Sequence, residues 1–393
     1  MCAGMLIFAK ISYVMKLRTV AKLGVIVSIL LFCLGVGGYG FLQLSLAREG
    51  KNVDLLEFVP DDCVGFLETD NFAYVVNELP QTGYAHHMAA LGKTGLLTVV
   101  SRHFDRMNED GGAHGLSNCM NQMMVSFHEP LEPDNVIVYF RMSGNGKSLL
   151  QQLAAGMEEQ MGSYKKETYR GKTIDVYPVS NGRYVAAYCG NGFLVLSYQK
   201  RLVERAIDAG KDGTSLACNP LLKGKLVPDK SANYLTLFGR TSSLPLLEEG
   251  HCHNWCEFDI HMNSEVFYMS GSMLVPDSCF QQMEMRLGNV TSVLEDSVLI
   301  VSGAQQVDAC ITEAISRPQH TLFDECVSNL SRDAAFIMVA DLEKVAQEPR
   351  RFENYLPPFL LERVEQLRSF ILSVQLTKVD NQLSHIFVFT YKD

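Results

Sequence analysis

The chain has 393 residues, of which 47% are apolar and 20% charged, a globular composition that excludes a disordered tether. It carries 34 Lys+Arg against 44 Asp+Glu, and because residues 1–51 hold six of the former and one of the latter, residues 52–393 are left with 28 against 43, a net charge of −15. So acidic a body lacks the positive field that phosphate backbones require, and nucleic acid is excluded as a partner.

Residues 23–47, LGVIVSILLFCLGVGGYGFLQLSLA, contain no charge and follow the basic residues Lys16, Arg18 and Lys22. About 20 apolar residues suffice to cross a hydrocarbon layer of about 30 Å. The lysine and arginine bias places the N-terminus in the cytoplasm. The expected layout is a cytoplasmic basic segment over 1–22, a transmembrane anchor over 23–46 and a short stalk over 47–57. Behind it come two halves of an ectodomain, 58–227 and 228–393, in the periplasm; the chain is then a single-pass protein of the inner membrane. Its first partner is the membrane itself, through that helix. Cleavage after Ser45-Leu46-Ala47 is the rival reading, and Met15 is an alternative start.

Of eleven cysteines, nine lie behind the segment, an odd number, several inside apolar patterns such as DDCVGFLE and QQVDACITEAI. Most read as buried apolar residues, with one or two bridges expected.

In chain order, one pattern recurs: an apolar strand, helical stretches, then two alternating strands joined by a polar turn. Asp62 precedes CVGFLET, Asp70 opens NFAYVVNEL, and MMVSFH and VIVYFR make a hairpin. ETYRGKTIDVYPV reads as a strand. YVAAYCGNGFLVLSYQKRLVERAI reads as two strands about an Asn-Gly turn with a helix behind them. A middle copy has ANYLTLFGR, a helical SSLPLLEE, then CEFDIHM turning at Asn263-Ser264 into EVFYMSGSM. SVLIVSGAQQVDACITEAI adds a strand and a helix. Finally Asp333 precedes AAFIMVA, Asp341 opens LEKVAQE as its N-cap, and ILSVQL turns into HIFVFT. The expected fold class is therefore α+β, an N-terminal transmembrane helix followed by repeated strand-helix-helix-hairpin units, forming antiparallel sheets with helices mainly on one face. A soft boundary falls at 226–231.

The densest group of potential ligands is HCHNWCEFD with His261 behind it, and Cys252, His253 and Cys256 are its candidate metal ligands. Strand alternation splits the group, putting Trp255, Glu257, Asp259 and His261 on one side and Cys256, Phe258, Ile260 and Met262 on the other. No cofactor is expected, and no catalytic residue stands out. Gly146-Lys147-Ser148 lacks the glycine five places earlier that a phosphate loop needs, because Arg141 stands there. Ser163-x-x-Lys166, Ser143-Gly144-Asn145 and Lys93-Thr94-Gly95 fall in the wrong order for the penicillin-binding set. His86-His87 reads as a solvated helical face.

The anchor, a short spacer and FVPDDCVGFLETDNFAYVVNEL resemble the start of uncharacterised envelope proteins of bacteroidete-type bacteria, a domain of unknown function. That resemblance implies one N-terminal transmembrane helix and a periplasmic α+β region, and it assigns no catalytic residue. The expected function is that of a membrane-anchored, non-enzymatic binding or scaffolding protein with an envelope protein, peptide or glycan partner. The alternatives are an envelope hydrolase with a dispersed site, metal-assisted around Cys252 to His261, and a carrier of a lipid or other apolar ligand.

Overall fold

The computed structural model describes residues 53–70, 81–84, 122–132, 134–142, 165–179, 183–222, 235–243, 245, 254–274, 283, 285–318, 320–379 and 382–392. The strands of the first half are β1 (Gly65–Thr69), β2 (Met123–Phe127), β3 (Val136–Arg141), β4 (Lys165–Tyr169), β5 (Lys172–Val179), β6 (Arg183–Cys189) and β7 (Phe193–Ser197). Those of the second are β8 (Leu235–Arg240), β9 (Trp255–Met262), β10 (Val266–Leu274), β11 (Val293–Glu295), β12 (Val298–Ser302), β13 (Phe336–Asp341), β14 (Phe370–Val379) and β15 (Gln382–Tyr391). All fifteen join one sheet in the order β11-β12-β13-β14-β15-β10-β9-β8-β1-β2-β3-β7-β6-β5-β4.

That order is nearly a palindrome. Outward from the β1–β8 pair, each half lays down a strand and a hairpin, then returns its later strands in reverse sequence order. Leu67 and Leu237 are the central partners of the antiparallel β1–β8 pair, so the two halves are related in topology by a twofold passing between them. The second half adds only the short edge strand β11.

Local chemistry accounts for the turns. Asn263 receives the backbone N–H groups of Glu265 and Val266 on its side-chain oxygen, at 3.0 and 2.7 Å, which closes the β9–β10 hairpin as an Asx turn. ETYRGKTIDVYPV is not one strand but the hairpin β4–β5, because Arg170 and Gly171 both adopt positive φ, 47° and 77°. Helix α1 (Lys200–Asp212) buries Leu202, Val203, Ala206, Ile207 and Ala209, and stops where Gly213 turns left-handed. Further helices are α2 (Ala304–Ser316), α3 (Leu322–Ser328), α4 (Leu342–Gln347) and α5 (Pro358–Leu361). Asp341 caps α4 by accepting the Glu343 N–H at 2.9 Å.

The expectation of a helix-bearing α+β fold with separate sheets and helices mainly on one face is corrected. The described residues form one large antiparallel sheet with few helices. The halves merge because β1 and β8 each offer an open edge to the other. Nor do the helices keep to one face. In β12 and β13 both alternating sets of side chains are apolar, so one face, continued by β14, packs Phe336, Met338, Leu372 and Val374 against Leu342 and Val345 of α4. The other packs Val301, Ile337, Val339 and Ile371 against Val307 and Ile311 of α2 and Val327 of α3. Strands apolar on both sides need cover on both sides.

The single-pass inner-membrane arrangement, with its bulk in the periplasm, is overturned as well. Among the described residues no helix is long and apolar enough to cross a membrane. The longest, α1 and α2, have 13 residues each and carry one polar face, against the about 20 apolar residues that a span requires. Segments 1–22 and 23–46 lie outside the described residues, as do the Ser45-Leu46-Ala47 site, residues 47–52 of the stalk and the boundary at 226–231.

Candidate binding surface

Register decides which side chains share a face. Asp259 stands opposite Thr236 on one side and Ser270 on the other, and Thr236 stands opposite Glu68. Ser270 continues to Ile386, and Ile386 to Gln375. One pleat away, Ser272, Ser384 and Thr377 are in line; one pleat the other way, His261, Tyr268, Val388 and Ser373 are. Partners in register project to the same side of a sheet, so β9, β10 and β15 together present a strip of hydroxyls beside the Asp259 carboxylate, flanked by the buried Thr236 of β8 and the buried Ser373 and Gln375 of β14.

The same face is apolar at both ends. Phe66, Met124, Tyr139 and Val195 meet the buried side of α1, while Leu299, Val301, Ile337 and Val339 meet α2 and α3. The described helices pack mainly on β3, β6 and β7 and on β12, β13 and β14, and the polar strip lies between these two fields. Asp259 and His261 are exposed; Tyr268, Ser270, Ser272 and Ser384 are half-buried. Thr236 and Glu68 are buried, and Thr236 donates its hydroxyl hydrogen to Asp259 at 2.9 Å. Gln122 donates to Glu68 at 3.1 Å.

The residues that sequence reasoning singled out fall into two groups. Cys252 and His253 lie outside the described residues, as do His86-His87, Gly146-Lys147-Ser148, Ser163, Ser143-Gly144-Asn145 and Lys93-Thr94-Gly95. Cys256 is fully buried with Phe258 and Met273 in the core of the second half, on the opposite side of the sheet from Asp259 and His261. Among the described residues no group of three or more His, Cys, Asp and Glu could hold a metal ion. Cys63, Cys189, Cys218, Cys256, Cys310 and Cys326 are free thiols; Cys119, Cys252 and Cys279 lie outside the described residues.

A second polar group escaped the sequence reading because only the pairing of β2 with β3 brings Tyr139 to Ser126. Ser126 and His128 meet at 2.9 Å, Ser126 and Tyr139 at 3.3 Å, and Tyr139 donates to the Phe58 carbonyl at 3.3 Å. A serine beside a histidine invites a nucleophile reading. Burial argues against it: Ser126 and Tyr139 are inaccessible and His128 is 1% exposed. His128 Nδ1 has no hydrogen-bond partner to orient the ring, which a serine–histidine mechanism needs. Desolvation holds the His128 imidazole down at about 4, with the nearby Arg205 acting in the same direction. It pushes the neighbouring Cys63 thiol up to about 12. Both groups stay neutral at ordinary pH, and the cluster is core.

No family model matches the chain, and no curated protein matches it. Among solved structures, crystal form IV of TP0453 is similar over 62% of this chain and 89% of its own, with 10% identity and a TM-score of 0.30. A likeness that small carries no argument about fold or function.

Proposed function

We propose that this is a non-enzymatic binding or scaffolding protein whose partner, a protein, peptide or glycan, seats on the polar strip of β9, β10 and β15. The observation that carries this reading is continuity. Hydroxyls of Tyr268, Ser270, Ser272 and Ser384 lie on adjacent strands beside the carboxylate of Asp259, on one sheet face framed by two helix-covered fields. Such a surface can donate and accept hydrogen bonds along an extended ligand, which suits recognition of polar chains. Kinship with the bacteroidete-type family belongs to the same proposal and brings no catalytic group with it. The closed Ser126–His128 pair favours binding over hydrolysis for the same reason that it is core.

Glycan and peptide arrays test the proposal. They are probed with the wild type, with an Asp259→Arg, His261→Glu variant whose sites are exposed, and with Ser270→Arg. Array members bound by the wild type, lost in the strip variants and kept in Lys165→Glu at the far edge would support it. Binding indifferent to every strip substitution, or cleavage of an array member, would overturn it.

A further inference from the structure

The β4–β5 turn is tied down more heavily than its length requires. Arg170 reaches Asp208 and Asp212 of α1 at 2.7 and 2.6 Å, and the Tyr169 hydroxyl donates to Asp208 at 2.8 Å. From the last turn of α1, Lys211 donates to the Arg170 carbonyl at 2.5 Å. The Lys211 ammonium is thereby held beside the turn, two residues from Lys172.

Both lysines line a cleft of about 370 Å³ whose other walls include Phe58, Tyr188, Phe193 and Ile207. Phe58 and Phe193 stack with ring centres 3.9 Å apart and planes 29° apart, and Tyr188 stands edge-on to Phe193 at 5.7 Å. Two glycines make room for this stack. A Cβ on Gly190 would fall 2.2 Å from the Phe193 ring, and one on Gly210 would fall 2.7 Å from the Phe58 ring.

Charge gives the cleft its sign. Asp208 and Asp212 are engaged by Arg170, and among the described residues Lys172 has no ion-pair partner. The carboxylate lining the cleft is Glu57, so two ammonium groups face one carboxylate on a chain of net charge −10. The volume lies within the roughly 300–1,000 Å³ of small-molecule sites, and an aromatic wall beside cations complements a flat anion. We propose that this cleft, distinct from the polar strip, binds a small organic anion with a flat aromatic body, its carboxylate or sulfonate between Lys172 and Lys211 and its ring against Phe58.

Titration of the full chain with anilinonaphthalene sulfonate, read by fluorescence, tests this. The expected result is saturation at one equivalent, displacement by 2-naphthoate but not by octanoate, and affinity lower by about tenfold or more in Lys172→Glu, Lys211→Glu. Both lysines are exposed, so that variant should keep the wild-type unfolding transition; Lys172→Gln, Lys211→Gln serves if it does not. Unchanged affinity in a folded lysine variant, equal displacement by octanoate, or saturation at several equivalents would each overturn the proposal.

Discussion

Phe66 and Phe238 stack across the β1–β8 pair, with ring centres 4.7 Å apart and planes 14° apart. Both are fully buried. Trp255, the one tryptophan of the chain, tilts against Phe66 at 5.7 Å, and the Arg240 guanidinium lies 5.1 Å from the indole centre. This aromatic group stands where the first half of the sheet meets the second.

Truncating either ring should therefore weaken both halves together. Phe66→Ala or Phe238→Ala is expected to lower the unfolding free energy by about 3–5 kcal/mol, the usual range for a buried phenylalanine. Trp255 emission should shift to the red, since its packing partner is lost or displaced. Urea unfolding followed by tryptophan fluorescence measures both effects, and a loss below about 1 kcal/mol would mean that the seam does not hold the sheet.

Much of the strand content was legible in sequence, and the assembly was not. Alternation in CEFDIHM and EVFYMSGSM, with Asn263 between them, marks β9 and β10 and even separates Asp259 and His261 from Cys256. Asp341 is legible as an N-cap because a carboxylate next to a helical stretch has local work to do. The β1–β8 pairing leaves no such trace, since backbone N–H and C=O groups make it and its partners are remote in sequence. The hydroxyl strip fails for a related reason. Each strand shows its own polar side, but only the register aligns Ser270 with Asp259 and Ser272 with Ser384. At Arg170-Gly171 the apolar and polar pattern runs on, and positive φ turns the chain back regardless.

Two glycines in the second half should respond oppositely to alanine. A Cβ on Gly271 would lie 1.8 Å from the Glu257 carbonyl oxygen and 2.7 Å from its carbon, both backbone, whereas one on Gly239 meets nothing within 4 Å. Gly271→Ala must push β10 from β9 and disturb the 2.8 Å contact between His385 Nε2 and that same carbonyl. The expected cost is about 1–3 kcal/mol or more, the range for overpacking. Gly239→Ala should be neutral to slightly stabilising. Equal thermal midpoints for the two variants would contradict the close approach at Gly271.

Two buried histidines should make the fold acid-sensitive. Desolvation lowers His128 and His385 from the ordinary 6.5 to about 4; the His385 contact with Glu257 opposes burial only in part. The unfolded chain then binds more protons than the folded one between about pH 6.5 and pH 4. Stability should be full above that window and fall as pH drops through it, by up to about 3 kcal/mol for each histidine. Urea midpoints measured from pH 7.5 to 4.5 should show this slope, and His385→Gln, whose amide can still donate to the Glu257 carbonyl, should flatten it. A slope of the opposite sign, or one unchanged by the substitution, would rule the assignment out.

The start of α3 is set by a reciprocal cap that a double substitution can dissect. Asp324 accepts the Thr321 N–H at 3.0 Å and its hydroxyl hydrogen at 2.8 Å, and returns its own N–H to the Thr321 hydroxyl at 3.2 Å. Arg317 adds a 2.9 Å contact to the other carboxylate oxygen. Burial alone would raise the Asp324 carboxyl, but the Thr321 and Arg317 hydrogen bonds outweigh it and hold the group below the usual carboxylate value. Its stabilising part is thus present above the unfolded value and lost as pH falls through the lower folded one. Thr321→Ala removes one cap and is expected to cost about 1 kcal/mol. Asp324→Ala leaves the Thr321 N–H and hydroxyl without their acceptor at a site 2% exposed, while Arg317 keeps Glu313, and is expected to cost about 1.5–3 kcal/mol. Because the two residues share the same bonds, the double variant should lose less than the sum of the singles. Denaturant unfolding of all four proteins measures the coupling, and strict additivity would mean that the cap does not act as a unit.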